Sequence, residues 1–256
     1  MAAVGRMKAM VPGAATIVLC LIAWQAVSHF FIPIFFPGPI LLARRMVEIY
    51  SDPASWDVVA VTLVRIAEGF ALSMVLGIAL GLVMGLKRDV EIFLDAWIMV
   101  LLTFPAICWA FLSVLWFGLS NVAPVLTVFL IVLPFVVLNI WQGTKAVEKN
   151  LLEMGRVYKA DRALMLRKVL MPQLMPYVFS SLRIALSLSW RIVLVGEAFG
   201  VGSGVGQKLM FWFQQTRVDM MLAWGMSFMI VMTLVDLFVF RLWARRSFAW
   251  RRQAAI

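Results

Sequence analysis

Charged residues are scarce in this sequence, and hydrophobic residues make up most of it. Of the 256 residues, 14% are charged and 64% are hydrophobic, and the mean hydropathy is +0.97. A water-soluble domain is about one quarter charged and about one half apolar. The composition therefore excludes an ordinary soluble enzyme and a disordered chain, and it predicts an integral membrane protein.

Cysteine and histidine are also scarce, and the common nucleotide-binding loop is missing. Two cysteines, Cys20 and Cys108, cannot cross-link a chain of this length into a disulfide scaffold. A single histidine, His29, cannot supply an H-E-x-x-H metal site. The sequence has no G-x-x-x-x-G-K-[ST] motif, and the glycines at 200–206 are not in the G-x-G-x-x-G register. We therefore predict no catalytic site, no metal site and no cofactor bound by this chain.

Six hydrophobic runs are long enough to cross the hydrocarbon core of a bilayer, which takes about 20 residues. They cover roughly residues 14–36, 62–86, 93–117, 123–142, 177–200 and 221–243. The first run exceeds the hydrophobic region of a signal peptide and is interpreted as a retained span. The sequence thus predicts an all-α membrane protein of about six transmembrane helices. We expect one domain over residues 1–256, with its core at about 58–245.

The net charge of +10 is explained by where the basic residues lie between these runs. Sixteen of the 23 basic residues fall on one side of the predicted bilayer, in the two termini and in the connections after the second and fourth runs. By the positive-inside rule, that side is cytoplasmic. Both termini are then cytoplasmic, and nucleic acid is not an expected partner.

The connection after the fourth run, residues 143–176, is unusually long and carries seven of these basic residues. Leu151, Met154, Val157 and Tyr158 recur at helical spacing. The pattern predicts a short amphipathic helix, a turn near residues 160–161, and a second short helix that ends at Pro172. A long connection that contains helices of its own usually has a function. A helix resting on lipid headgroups is the alternative.

Small residues recur every four positions in the second run. Because four residues turn a helix by about 400°, they form one slowly drifting groove on its surface. In lipid, such a groove allows another helix to approach closely. The groove predicts helix packing, either static or sliding, through a small-residue stripe formed by Gly69, Ser73, Gly77, Gly81 and Gly85.

Polar and helix-breaking residues inside the runs indicate a candidate translocation path. Pro105 and Pro134 each remove a backbone donor and are expected to kink their helices. Arg191 lies beyond the midplane, where a charge requires a partner or a wet cavity. It is interpreted either as a contact for an anionic substrate or as an ion pair with Glu197 or Asp236. The candidate path comprises Arg191, Pro105, Trp109 and Trp190.

Residues 153–176, EMGRVYKADRALMLRKVLMPQLMP, resemble the EAA loop of binding-protein-dependent ABC importer permeases. The matching positions are Glu153, Arg156, Ala160, Pro172 and Pro176. Flanking features extend the resemblance to the nitrate/sulfonate/taurine branch of these permeases, over about residues 37–250. They include PGP at 37–39, TLVRIAEGF at 62–70, WFG at 116–118 and LRIAL at 182–186. Their order and spacing carry the resemblance.

The resemblance implies a type I importer permease of the MetI-like fold, in which a cytoplasmic coupling helix at about 148–170 docks on an ATPase. It also implies several partners: a dimer of cytoplasmic ABC ATPases that bind ATP and Mg, a second permease copy, a periplasmic or lipoprotein substrate-binding protein, and the lipid of a bacterial inner membrane. The implied coupling residues are Glu153, Met154, Arg156, Val157, Tyr158, Lys159, Ala160 and Arg162.

This sequence departs from the family pattern inside the loop itself. Met154 and Gly155 occupy positions where two alanines are preferred, and Lys159 replaces a glycine that eases the turn. These departures leave the permease interpretation in place and weaken any transfer of substrate from well-known members.

Other functions remain as alternatives at this point. A secondary transporter or channel would show internal repeats and several midplane charges, which we do not find. A membrane-embedded enzyme lacks a visible nucleophile, base or metal set. Within the family, a permease for amino acids or quaternary ammonium solutes is the nearest alternative. Arg191, without an acidic residue at the midplane, favours a small anion as the solute.

Overall fold

The computed structural model describes residues 2–148, 153–154, 157–158 and 161–247, and within them the side chains of 15–148, 153–154, 157–158, 161 and 163–238. Every regular element in these residues is helical. The helices are α1 Ala2–Ser28, α2 Pro39–Ser51, α3 Pro53–Leu86, α4 Arg88–Thr103, α5 Ala106–Phe117, α6 Val122–Lys145, α7 Arg162–Met165, α8 Met171–Gly200, α9 Val205–Gln214 and α10 Val218–Ser247, with a π-helical turn at Leu166–Leu170. The predicted all-α fold class is confirmed.

Four of these helical stretches are long and apolar enough to cross a membrane: Pro53–Leu86, Val122–Lys145, Ala163–Gly200 and Val218–Phe238. The predicted third span is instead two helices, α4 and α5, bent by 99°. Pro105 lies at this break and leads into α5. Because proline cannot donate a backbone hydrogen bond, the helix stops there rather than kinking as expected.

The first hydrophobic run is helical over only part of its length. Helix α1 ends at Ser28, and residues 29–38 form turns, although the run was predicted to continue to residue 36. Pro33 and Pro37 explain the difference, since the residue before a proline avoids the helical region. The apolar part of α1 whose side chains are described, Ala15–Ser28, is shorter than a span.

The prediction that a short helix ends at Pro172 is wrong. The helix continues from residue 163 through Pro172 and Pro176 to Gly200. The π-helical turn ends at Leu170, and Pro172 occupies the first turn of the α-helix that follows. A proline is tolerated there because the local π-helical geometry and packing against neighbouring helices accommodate the missing N–H donor.

Helix α6 forms the centre of the molecule. In its apolar stretch 61% of the residues are buried, against 22–33% in the other three spans. Its buried residues pack against α3 on one side and α8 on the other, and they include Val128, Val132, Val136 and Ile140. The same core reaches α10 through Trp224 and Phe228.

Helices α3 and α6 lie parallel, and the small-residue stripe faces the contact between them. A Cβ atom added to Gly69 would lie 2.8 Å from Val128 Cβ, and one on Gly77 would lie 2.7 Å from Val136 Cβ. Gly81 faces Val137 and Ile140, and Gly85 faces Thr144. Since the partner number rises in step with the glycine number, the two helices run in the same direction. Ser73 donates to the Gly69 carbonyl at 2.7 Å.

Candidate functional site

The two ends of the segment 143–176 are held together by contacts across its base. Val147 packs with Leu170 and Leu174 in a small buried cluster. The backbone N–H of Glu148 donates to Gln173 Oε1 at 3.0 Å. Because these partners are more than twenty positions apart in sequence, the segment leaves and re-enters the helical bundle at one place.

An ion pair next to this base connects α6 to α4. Lys145, the last residue of α6, pairs with the Glu91 carboxylate and lies 5.0 Å from the centroid of the Trp141 ring. Arg88 contacts the same carboxylate at 2.9 Å. The start of the segment is therefore tied to the helix that leads to the bend at Pro105.

Three apolar side chains in the middle of the segment are exposed. Val157 is 79% exposed, Tyr158 is 78% exposed and Met154 is 50% exposed. Glu153 is exposed beside them. Tyr158 donates its backbone N–H to the Met154 carbonyl at 3.0 Å, which closes one turn. The predicted coupling residues Arg156, Lys159 and Ala160, and the side chain of Arg162, lie outside the described residues.

Asp161 precedes the second helical part of the segment, which begins at Arg162. Its Oδ1 accepts the backbone N–H of Leu164 at 2.6 Å, and its carbonyl accepts that of Met165 at 3.0 Å. A side-chain acceptor at this position satisfies an N–H group that has no partner within the helix. A helix thus starts directly after the predicted turn at residues 160–161, of which residue 160 lies outside the described residues.

At the opposite end of the bundle, a fully buried ion pair joins α3 to α8. Arg65 and Glu197 are 2% and 0% exposed, and their side chains meet at 2.7 Å. The Arg65 guanidinium also donates to the carbonyl and hydroxyl oxygens of Ser203, at 2.9 and 2.8 Å, and to the Asn121 side chain. One side chain of α3 thereby holds both the α8–α9 turn and the start of α6.

The Glu197 carboxylate fixes the glycine-rich turn from the other side. It accepts the Gly206 N–H at 2.9 Å and the Thr62 hydroxyl at 3.0 Å, and Thr62 in turn accepts the Val205 N–H at 2.9 Å. Gly204 has a φ of +101°, and a Cβ there would collide with the carboxylate. Glycine is required at this position by both backbone conformation and space.

Among the described residues, the candidate path residues form two separate pairs of sequence neighbours, Pro105 with Trp109 and Trp190 with Arg191. Trp109 packs against Phe104 next to the bend at Pro105, with ring centroids 4.7 Å apart and the rings tilted by 58°. Trp190 contacts Phe228 on α10, at 6.5 Å between centroids. The Arg191 guanidinium lies 5.3 Å from the Trp190 ring centroid, and its side chain is exposed. Arg191 and Pro105 are the exposed members of this set, and Arg191 is the charged one.

The alternative in which Arg191 pairs with Glu197 or Asp236 is wrong. Glu197 pairs with Arg65, and neither carboxylate lies within 4 Å of the Arg191 side chain among the side chains that the structure describes. The sequence analysis missed the true partner because Arg65 lies more than 130 positions from Glu197. The available signal was the presence of opposite charges in two hydrophobic runs, each needing a partner.

Glu68 is a second residue that the sequence analysis did not single out. It is exposed on α3, one turn beyond Arg65, and lines a cavity of about 290 Å³ with Arg65 and Asn121. Gly69, the residue after Glu68, faces Val128 of α6. Val128 lies about 9 Å along the axis of α6 from the start of that helix, so Glu68 lies at about the same depth in the bundle. An acidic side chain thus lies next to the Arg65–Glu197 pair, at the end of the bundle opposite the segment 143–176, which the sequence analysis did not expect.

Comparison with known proteins identifies the family. The family model described as "Binding-protein-dependent transport system inner membrane component" matches residues 73–252. The putative aliphatic sulfonates transport permease protein SsuC of Bacillus subtilis is 29% identical over 215 residues, which cover 84% of this chain and 78% of that protein. The taurine transport system permease protein TauC of Escherichia coli is 26% identical over 229 residues, 87% and 83% of the two chains.

A further relative and a solved structure agree with this assignment. The nitrate import permease protein NrtB of Synechococcus elongatus is 26% identical over 211 residues, 78% and 76% of the two chains. An inward-facing structure of the MetNI methionine ABC transporter has a TM-score of 0.59 at 18% identity, covering 81% of this chain and 96% of that chain. The likeness confirms the expected MetI-like fold. Since the family model covers well over half of its length, this chain belongs to the inner membrane components of binding-protein-dependent transport systems.

Proposed function

We propose that this permease is the membrane subunit of an ATP-driven importer and that residues 148–170 are its coupling helix. The proposal rests on the exposed apolar side chains of Met154, Val157 and Tyr158. The segment that carries them is connected at its ends to α4, α6 and α8 by the Lys145–Glu91 ion pair and the Val147 cluster. An apolar surface in a basic, membrane-flanking segment needs a protein partner or lipid to cover it.

The partners that fit this surface are two cytoplasmic ATPase subunits, each receiving the coupling helix of one permease copy. The ATPases bind ATP and Mg and hydrolyse ATP, while this chain supplies the path. Movement of the coupling helix reaches α4 through the Lys145–Glu91 pair and reaches α8 through the Val147 cluster. A binding protein delivers the solute to the outer face, and both termini are cytoplasmic.

A docking experiment tests this assignment. We expect Val157→Ser with Tyr158→Ser to lower the affinity for the ATPase subunit at least about tenfold, because exposed aromatic anchors dominate such interfaces. The measurement is co-purification of the tagged permease with the ATPase, followed by titration in detergent.

Leu119→Ser is the matched control, because Leu119 is 77% exposed and lies in the α5–α6 turn at the other end of the bundle. It should leave ATPase binding unchanged. Equal binding by the double variant and the control would contradict the coupling assignment and favour a lipid-resting helix.

We further propose that the solute is a small anion and that Arg191 contacts it. Arg191 is exposed, pairs with no carboxylate in the described structure and is oriented by the Trp190 ring. The relatives named for sulfonates, taurine and nitrate support this class. Aromatic carboxylates and heterocyclic vitamin precursors belong in the same screen, and amino acids and quaternary ammonium solutes are the alternative class.

The substrate proposal is tested in two steps. A thermal-shift screen on the substrate-binding protein first identifies the solute. Uptake by Arg191→Gln is then expected to fall at least about tenfold, since a hydrogen bond to a charged group is worth about 1.5–3 kcal/mol. Arg44→Gln, an exposed arginine on α2, is the control and should transport normally. Unchanged uptake by Arg191→Gln would remove Arg191 from the path.

A further inference from the structure

A cavity of about 240 Å³ lies where α2 meets the beginnings of α3 and α10 and the middle of α9. It is far along the chain from the coupling segment, and its walls do not include Arg191. Its apolar part is formed by Ile49, Val58 and Met220 together with two indole rings. The polar and aromatic residues that line it are Glu48, Asp52, Ser55, Lys208, Trp212 and Trp224.

Three hydrogen-bond donors line this cavity, and one of them is buried without an acceptor among the described residues. That donor is the indole N–H of Trp212. Ser55 is 6% exposed and lies on the same cavity. Lys208 is half-buried, and no carboxylate of the described residues lies within 4 Å of its amine. A buried donor without an acceptor is costly, so the Trp212 N–H indicates an acceptor in the cavity, and Lys208 and Ser55 can donate to that acceptor as well.

Two carboxylates line the same cavity and restrict what that acceptor can be. Glu48 pairs with Arg45 at 2.6 Å, and Asp52 accepts the Ala54 N–H at 3.0 Å. Both carboxylates keep oxygen lone pairs that can accept further hydrogen bonds. A ligand with negative charge alone would be repelled by them. A ligand that also carries an ammonium group would be bound at both ends.

We propose that this cavity binds a small zwitterion, with its oxyanion at Lys208 and Ser55 and its ammonium at Glu48 and Asp52. The Trp212 and Trp224 rings enclose the short chain that joins the two charges. A charged oxyanion accepts from lysine and hydroxyl donors more strongly than a neutral group does. Such a ligand is either a free solute or the headgroup of phosphatidylethanolamine, since both present the same pair of charges. The site is independent of the proposed ATPase docking and of Arg191.

Two binding measurements on the purified full-length chain with its partners test the site. In phosphatidylglycerol nanodiscs, isothermal titration calorimetry with phosphoethanolamine is expected to give saturable binding by the wild type. Lys208→Met and Ser55→Ala should each weaken it about tenfold or more, the loss expected for a hydrogen bond to a charged group. Ethyl phosphate, which lacks the ammonium, should also bind about tenfold more weakly.

The second measurement is native mass spectrometry of the complex taken from mixed phosphatidylethanolamine and phosphatidylglycerol membranes. Retention of phosphatidylethanolamine that Lys208→Met reduces assigns the site to the headgroup, whereas saturable phosphoethanolamine binding without retained lipid assigns it to a free solute. Lys87→Met changes an exposed lysine between α3 and α4 and is the control for both measurements. The proposal is overturned if neither form binds, if Lys208→Met behaves as Lys87→Met does, or if ethyl phosphate binds as well as phosphoethanolamine. Because neither measurement needs ATP or uptake, failure of the site and failure of the transport proposal are distinguishable.

Discussion

At the scale of single residues, Arg65 and Glu197 join α3, the α8–α9 turn and the start of α6 at the end of the bundle opposite the segment 143–176. Both are almost completely buried, and together with Thr62 they hold the α8–α9 turn through backbone N–H groups. A buried charge whose partner is removed cannot recover its hydration. Replacing either residue alone is therefore expected to destabilise the folded protein.

We expect Arg65→Met to lower the thermal unfolding midpoint of the purified permease by on the order of 10 °C, because breaking a buried ion pair costs about 3–5 kcal/mol. Glu197→Met should have a similar effect. The double variant, in which no charge is left without a partner, should regain most of the loss. The measurement is thermal unfolding in detergent.

Arg44→Met is the control for this series because Arg44 is exposed, and it should shift the midpoint little. A double variant no more stable than either single variant would show that the ion pair is not the reason for the loss.

At the scale of elements, the contact between α3 and α6 depends on the absence of side chains. At Gly69, Gly77 and Gly81 an added Cβ would lie within 2.8 Å of an atom of α6. Two helices in lipid associate through such close packing, since apolar surface alone does not drive them together. The sequence analysis allowed a static contact and a contact that slides during transport, and both interpretations stay predictions.

Gly77→Leu is expected to destabilise the permease by about 1–3 kcal/mol or more, because the added side chain must push α3 away from Val136. The measurement is again the unfolding midpoint. Ala79→Leu, two positions along on the exposed side of α3, adds a side chain of the same kind in open space and should be nearly neutral. Equal effects of the two substitutions would contradict the packing role of the stripe.

At the scale of the whole molecule, the parallel direction of α3 and α6 fixes the topology of everything between them. The bent pair α4 and α5 must return the chain across the membrane, so that the α3–α4 turn and the α5–α6 turn lie on opposite sides. Lys87 and Leu119 are exposed at these two turns.

Cysteine labelling measures this topology. In a background with Cys20 and Cys108 replaced by serine, Leu119→Cys should react with an impermeant maleimide on intact cells or spheroplasts. Labelling of Lys87→Cys should rise at least about tenfold when the membrane is permeabilised, because the positive-inside rule predicts that this position is cytoplasmic. The same accessibility at both positions would refute α4 and α5 as a returning pair.

The secondary structure and membrane class followed from local patterns in the sequence. Apolar runs, helical spacing and the small-residue stripe predicted the long helices, because hydrophobicity and helix periodicity are properties of neighbouring residues. The order of the motifs also sufficed to indicate the permease family. The local patterns failed at Pro172, where the helix continues, and at Pro105, where it breaks by 99°. Whether a proline ends a helix depends on the hydrogen bonds and packing around it.

The sequence by itself determined that this protein is a helical membrane permease and that its long connection lies at residues 143–176. Only the tertiary structure decided which charges meet: Glu197 with Arg65 rather than with Arg191, and Lys145 with Glu91. It also grouped Ser55 of α3 with Lys208 and Trp212 of α9 around one cavity. The physical reason is that a buried or partly buried charge pairs with the partner that packing brings close, and sequence separation carries no information about that distance.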